Sequence, residues 1–568
     1  MNLLNRYFSF IERRSISDTI LFHLALVVLL ASALYGLIAF NNSYITTVPT
    51  AGGTLVEGIV GTPRFVNPVL AITRADHDVA ALVYSGLMMI NENGDLVNDA
   101  AESIDLSEDG RTYHIKLKDG VRFHDDTEMT ARDVAFTIAL IQNPDLKSPL
   151  RGAWEGVTVE ELGDKELNLI LAEPYAPFIE NLTVGILPRD IWDELPIEQL
   201  PFSQHNTEPI GSGPYRITDA LRNKSGLINA YKLEAFPEAN KQPNITTVVF
   251  NFYQNEDSLM EALQKEEIAS TPSLTIDQID QVNTDDYNII ESPLPRTFAV
   301  YFNQNKSASL RDAAVREALN ASIDRAALVQ AVLKGHGIPI DTPVPESFLP
   351  IESAEASSTS TTTAERPETI LVEGGWEKNA DGKWQKEIDE ETVTLHVTLT
   401  TSNTPLFEET ANFITESWKA LGVDVQVDQF EQADLVQGII RPRDFQALLF
   451  GADLGRSIDL YPFWHSSQKD DPGLNIAQYT SIAADGALTK LRTTTDAAER
   501  AALATEVTKD ITTDRPAIFL YVPTFTYVID KTVQVAPFTK LGKPSERFAN
   551  IAEWHITSSK LWSFFSNQ

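Results

Sequence analysis

Cysteine is absent from all 568 residues. Disulfide staples, thiolate nucleophiles, Cys-ligated zinc and an acylated cysteine of the lipoprotein type are therefore excluded, and the compartment's redox state leaves no mark on the chain. Cationic side chains are scarce as well. Lysine and arginine number 45 against 80 aspartates and glutamates, a formal net charge of −35. Phosphate contacts need a basic face, so nucleic-acid binding is excluded. The acidity is the ordinary chemistry of solubility and of repulsion from anionic lipid. A preference for cationic ligands follows only weakly, because surface fields fade within about 8–10 Å at physiological salt.

Catalytic constellations are missing too. The nine histidines are scattered, without HExxH or a pair at metal-ligand spacing. Gly211-Ser212-Gly213 is not the GxSxG nucleophile elbow. Gly335-His336-Gly337 lacks a phosphate-loop setting, and no Walker motif is present. His124 stands beside Asp125 and Asp126 and reads as part of a solvated hairpin turn in preference to a ligand or a base. The expectation is a protein that is not an enzyme, with no catalytic residues, no metal site and no cofactor.

Long apolar runs are absent with one exception. Ile20 to Phe40 is apolar apart from His23, Ser32 and Tyr35, and at about 1.5 Å per residue it spans roughly 30 Å of hydrocarbon. Arg6, Arg13 and Arg14 precede it and no basic residue follows before Arg64. The positive-inside rule then leaves 1–19 as a cytoplasmic tail, 20–40 as a transmembrane anchor and the rest outside the cell. A cleaved signal peptide ending at Ala31-Ser32-Ala33 is the competing reading, but the apolar run continues well past that site. Residues 41–52 read as a tether reaching at most about 40 Å.

What remains is ordinary globular composition, 43% hydrophobic and 22% charged, in a chain long enough for two or three lobes. Strand-like and helical patterns alternate without repeats, which predicts a mixed α/β architecture. Ser353 to Arg366 lacks large apolar residues and reads as a mobile surface loop. In Leu106–Pro144, Tyr113, Ile115 and Leu117 alternate with polar neighbours, and Val121 and Phe123 resume the alternation after Lys118-Asp119-Gly120, a hairpin pattern. Thr130 with Asp133 three residues on resembles a capping box for a helix whose buried stripe is Val134, Ile138 and Ile141. Farther on, Phe298, Val300 and Phe302 read as a strand ending at Asn303. A helix with Val315 and Leu319 follows, and then a helix capped by Asp324 that ends at Lys334-Gly335.

As strings of residues, Leu106–Pro144 and Leu310–Pro345 closely resemble the family 5 extracellular solute-binding proteins, the oligopeptide, dipeptide and nickel-type receptors of bacterial ABC importers. Further matches fall in the family's order at Phe65-Val66-Asn67-Pro68, Ile210-Gly211-Ser212-Gly213-Pro214-Tyr215, Gly375-Trp376 and Arg547-Phe548-Ala549-Asn550-Ile551. The resemblance implies a two-lobed periplasmic-binding-protein-like clamshell with an extra small α/β domain, preceded by the one transmembrane helix. Lobe I would comprise 52–86, 209–297 and 523–568, the extra domain 87–208, and lobe II 298–522. Gly211 and Gly213 would lie at a hinge, although tight strand packing accounts for them equally.

The same likeness points to a ligand site. In peptide-binding members the stretch matching Phe450–Asp453 reads Trp-x-Ala-Asp, and its aspartate pairs with the peptide's α-ammonium. That implies Asp453 as an amino-terminus anchor, with a loop-capping aspartate as the alternative. Phe450 replaces the usual tryptophan, and Leu454-Gly455-Arg456-Ser457 departs from the family's aromatic-proline-acid run, so Arg456 is expected to pair with Asp453 or Asp459. Thr73 and Arg74 fall where the first lobe of peptide-binding members touches ligand backbone, which implies a contact role for them, with a plain surface arginine as the alternative. Trp464, with Tyr461 and Phe463, is a candidate lining residue, although aromatics at this density are commonly core. The implied protein is a monomeric, membrane-tethered receptor that captures oligopeptides for ABC permease and ATPase subunits. The alternatives are a nickel chelate, haem or oligosaccharide as cargo, or a sensory or adhesion ectodomain without cargo.

Overall fold

A single 14-residue strand, Ala517–Asp530, organises the structure. Its sequence, AIFLYVPTFTYVID, is rich in β-branched and aromatic residues with no glycine, so an extended conformation buried on both sides is its natural state. In this computed structural model, which describes residues 15–91, 93–345, 348, 366–536, 538 and 540–562, the strand serves two half-sheets of one 12-stranded sheet. Its first part pairs antiparallel with Arg296–Phe302, beyond which lie Ala447–Asp453, His396–Ser402 and Asp424–Phe430. Its second part pairs with Tyr287–Pro293 and with Ser270–Thr271. From there the order runs through Thr54–Val60, Thr247–Tyr253, Ile228–Ala235 and Tyr215–Arg222. The chain crosses between the half-sheets at Pro293–Arg296 and again around Val522–Thr524. The fold is mixed α/β, of the two-lobed binding-protein type.

Each half carries its own core. The half holding Arg296–Phe302 packs the helices Ala313–Ala321, Arg325–Leu333 and Pro405–Leu421 through Val315, Leu319, Leu328, Ile414 and Trp418. The expected cap at Asp324 is in place, and Asp312 caps the helix before it. Asp312 and Asp324 accept hydrogen bonds from Ala314 N–H and Ala327 N–H at 2.9 Å each, and Lys334 closes the second helix in a left-handed conformation. Ser353–Arg366 lies outside the described residues except for Arg366, which precedes the helix Pro367–Glu373.

Between residues 87 and 208 a separate four-stranded antiparallel sheet forms, in the order Ala101–Leu106, Thr112–Leu117, Glu166–Ile170, Thr158–Gly163. Tyr113, Ile115 and Leu117 bury one face of it. The expected hairpin across Lys118–Gly120 does not form. Thr112–Leu117 takes Ala101–Leu106 and Glu166–Ile170 as its partners, and Val121 and Phe123 are buried in a connection whose only ladder contact is one bridge, Arg122 to Glu128. Burial of Phe123 and a hydrogen bond from His124 N–H to the Gly211 carbonyl (2.7 Å) draw that stretch away from its neighbour. The helix Ala131–Gln142 follows with the capping box that its sequence predicts, Thr130 N–H donating to Asp133 Oδ2 at 2.8 Å.

A smaller unit stands apart in the contact pattern: residues 1–53 with 555–568. Its helix Ile16–Tyr44 is capped by Ser15 and is exposed along its apolar length, and Ile16–Asn41 is long and apolar enough to cross a membrane. The Ala31-Ser32-Ala33 triplet lies inside that helix. The strand Ile45–Pro49 after it pairs antiparallel with Ser558–Trp562.

Candidate functional site

The strand Ala447–Asp453 starts apolar and fully buried at Ala447, Leu448 and Leu449, then becomes progressively exposed towards Asp453. Its register sets Asp453 directly opposite Arg296, and the two side chains join at 2.9 Å, Arg296 Nε to Asp453 Oδ2. The other carboxylate oxygen accepts the Gly455 N–H at 3.3 Å. Asp453 is thus both a turn cap and one half of an ion pair, and about half of its side chain remains open to solvent.

Thr73 and Arg74 begin the helix Arg74–Val83. Thr73 N-caps it in a capping box with Asp76, so its hydroxyl is already an acceptor for Asp76 N–H (3.1 Å). Arg74 Nη1 donates to the Pro272 carbonyl at 2.6 Å. Desolvation by surrounding protein depresses the Arg74 pKa, with Asp78 opposing the fall and Arg547 and then Arg296 adding to it. The same holds for His77, one turn on, whose pKa is lowered by desolvation and then by Lys543.

Aromatic rings flank the Arg296–Asp453 pair. Phe450 stacks on Phe407 (6.3 Å between centroids), Phe407 packs on Phe298 (5.4 Å), and Phe298 stacks on the buried Tyr521 (5.1 Å). Gly451 makes room for this stack, since a Cβ there would meet the Phe298 ring at 3.3 Å. Leu406, the neighbour of Phe407, belongs to a groove of about 870 Å³ whose apolar lining is Ile276, Val332, Leu406 and Phe413 and whose rim carries Asp277 and Glu409.

Two candidates sit elsewhere. Trp464 is 2% exposed and packs into a core with Tyr301, Tyr479 and Phe519, so no face of it lines a recess. Arg456 pairs with neither Asp453 nor Asp459: Arg296 takes the first, Tyr175 and Arg492 the second, and Arg456 is buried against Glu546. Gly211 and Gly213 lie against Val83 and Tyr84, where a Cβ on either would collide with backbone. His124 clasps this segment, accepting Gly211 N–H on Nδ1 (3.3 Å) and donating from Nε2 to the Gly213 carbonyl (3.1 Å). It is a half-buried structural clasp where the sequence suggests a solvated turn, and burial pushes its pKa down to about 4.

Sequence reasoning misses Arg296, whose partner is set only by strand register. It also misses a fully buried charge cluster. Arg547 donates to both Asp78 oxygens (2.8 Å each) and to Glu57 Oε1 (2.8 Å), while Glu57 Oε2 accepts from Tyr527 and Ser270. All three charged side chains are inaccessible. Burial raises the Glu57 pKa against the pull of Arg547, and at Arg547 the carboxylates, Asp78 foremost, more than offset burial. A glutamate inside the apolar strand TLVEGIV was the available signal, because a charge there needs a partner. Among the described residues no group of His, Asp or Glu is arranged to hold a metal ion.

A two-lobed α/β body with an aromatic-flanked ion pair at the open end of a central strand is the architecture of a solute-binding protein. Residues 95–472 match the family described as bacterial extracellular solute-binding proteins, family 5 Middle, and the chain belongs to that family. The oligopeptide-binding protein AppA of Bacillus subtilis is 27% identical over 563 residues, covering 96% of this chain and 99% of that one. Its structure in complex with a nonapeptide superposes with a TM-score of 0.66 at 26% identity, covering 90% of this chain and all of that one. NikZ of Campylobacter jejuni, solved with Ni(L-His), has a TM-score of 0.67 at 25% identity, covering 88% and 99%.

Proposed function

We propose that this chain is the oligopeptide receptor of an ABC importer. The helix Ile16–Tyr44 tethers it as a single-pass membrane protein, and the body, a monomer outside the cell, closes around its cargo. The observation that carries this reading is the half-exposed Arg296–Asp453 pair at a strand end, beside the Phe298–Phe407–Phe450 stack. A peptide offers that surface an α-ammonium for Asp453, backbone groups for the neighbourhood of Thr73 and Arg74, and a side chain for the aromatic wall. Bound between the parts, it would lose water on both sides, so backbone hydrogen bonds supply affinity without strict side-chain choice. The cargo leaves unaltered, and the permease and its ATPase partners do the work of transport. The likeness to AppA supports peptides as the class.

A second cargo has one observation in its favour. The likeness to NikZ, solved with Ni(L-His), is as close in structure as that to AppA, so a nickel–histidine chelate is the alternative cargo. Native mass spectrometry of the purified full-length protein, followed by calorimetric titration with nonapeptides and with Ni–histidine, separates the two. Peptide binding in the micromolar range or tighter is expected; binding of the chelate alone would overturn the peptide assignment.

A further inference from the structure

Arg456 is closed to any ligand, and what it touches gives it a different role. It projects from the loop after Asp453, where Gly455 and Ile458 turn the backbone through positive φ of 70° and 52°. Its side chain is 9% exposed and fills a socket built by two other segments. Nη1 donates to the Gly94 carbonyl at 2.7 Å, and Nη2 pairs with Glu546, whose carboxylate is held by the Gly542 N–H at 2.7 Å. Glycine at both rims leaves the space. A Cβ on Gly542 would stand 3.1 Å from Arg456 Nε, and one on Gly94 would stand 3.4 Å from Nη1.

The surroundings repeat the pattern. Glu180 accepts from Ser457 and lies near Arg456, Glu546 and Arg500, and burial pushes its pKa up to about 7. Tyr175 donates to Asp459 at 3.1 Å, and Arg492 reaches the same carboxylate at 3.4 Å with its guanidinium between the rings of Tyr175 and Tyr461 (4.8 and 4.6 Å). Three stretches distant in sequence meet here: 94 with 175–180, 540–546, and 454–500. By the boundaries that the family likeness implies, they belong to the extra domain, lobe I and lobe II.

We propose that Arg456 is the plug of a closure latch: it enters the Gly94–Gly542–Glu546 socket when the lobes shut and leaves it when they open, so that it sets how long cargo is held. Arg456 is a positioning residue that never touches the cargo. This rests on the reading of the chain as a closing receptor. A latch of this kind stabilises only the closed population, so its loss appears in ligand dissociation and not in folding. Truncating one member of a buried, hydrogen-bonded charge pair acts mainly on the off-rate.

The test uses the full chain in nanodiscs and a pool of nonapeptides with free amino termini. Dissociation from Arg456→Ala and Glu546→Ala is expected to be faster by about 5- to 150-fold, the range of ordinary coupling between sites. Arg456→Lys, which keeps the charge, should recover part of that loss, and the thermal midpoint of the ligand-free protein should hardly move. Because the chain has no cysteine, spin labels at Asp105→Cys and Lys490→Cys report closure without reference to cargo. A narrow distance distribution in the peptide-bound parent that broadens in Arg456→Ala is the expected result. Unchanged off-rates and distances would overturn the latch, as would a midpoint that falls in step with binding in every variant. If the parent binds none of the pool, the peptide reading fails, while the latch is still decided by the ligand-free proteins, in which Arg456→Ala should deplete the short-distance population present in the parent and an unchanged distribution would overturn it.

Discussion

Asp453 faces Arg296 across an antiparallel strand pair, carboxylate to guanidinium at 2.9 Å, with about half of each side chain in solvent. The pair is well formed but poorly buried, so it contributes at most about 1 kcal/mol to folding. In the proposed role of Asp453 the pair is a competitor, because a ligand's ammonium would have to share or displace Arg296 to reach the carboxylate.

Replacing Asp453 by Asn should therefore leave stability nearly unchanged while weakening peptides with a free amino terminus. A charge-assisted hydrogen bond is worth about 1.5–3 kcal/mol, or roughly 10- to 100-fold in affinity. Amino-terminally acetylated peptides should bind the variant and the parent alike, and Arg296→Gln should strengthen binding of the free-amine form. Calorimetric titration of the matched peptides checks all three; equal losses for free and acetylated forms would refute the anchor.

Arg547 is the reverse case, a charge that the fold cannot spare. Changing it to Met leaves Glu57 and Asp78 buried without a cation, at a cost of about 3–5 kcal/mol. Arg547→Lys should recover little, because a single ammonium cannot bond both carboxylates as the guanidinium does. Urea denaturation of the three proteins measures the difference.

His124 makes stability depend on acidity. Its pKa falls from 6.5 to about 4 in the folded protein, chiefly through desolvation, so the unfolded chain takes up the proton first. The stabilisation is present above pH 6.5 and is lost as the pH falls towards 4, about 3 kcal/mol in all. A His124→Gln variant should flatten the thermal midpoint across that window.

Glu180 works in the opposite direction. Burial raises its pKa from 4.5 to about 7 although Ser457, Arg456 and Arg500 pull it down, and Glu546 adds to the rise. The protonated form suits the folded protein, so stability declines as the pH climbs from 4.5 through 7 and is level beyond. Glu180→Gln should remove the decline and raise the midpoint at pH 8, by differential scanning calorimetry at closely spaced pH values.

Much of this molecule is written locally. The capping box at Thr130, the cap at Asp324 and the left-handed stop at Lys334 each depend on residues within four positions of one another, which is why pattern reading finds them; the box at Thr73 and the cap at Asp312 are equally local and went unread. The apolar helix at the N-terminus is legible for the same reason. The hairpin around Lys118–Gly120 misleads because its alternation is genuine but its partners are not: strands Ala101–Leu106 and Glu166–Ile170 compete for the same edges and win through pairing that spans far more chain.

Side-chain roles around Asp453 divide along the same line. The Asp453 carboxylate and the Phe450 ring are recognisable from their strand-end string, but their partners are fixed by register and packing. A one-residue slip would turn Arg296 to the other face. Arg456 illustrates the limit, since two nearer aspartates in sequence suggested themselves and the partner lies 90 positions away in Glu546. By itself the sequence determined the apolar helix, the caps, the helical and strand segments and the absence of thiol chemistry, all of which depend on neighbours along the chain. Which charges meet, whether Trp464 faces ligand or core, and what closes around Arg456 were decided only by the tertiary structure, because burial and ion pairing depend on groups that the chain brings together from hundreds of residues apart.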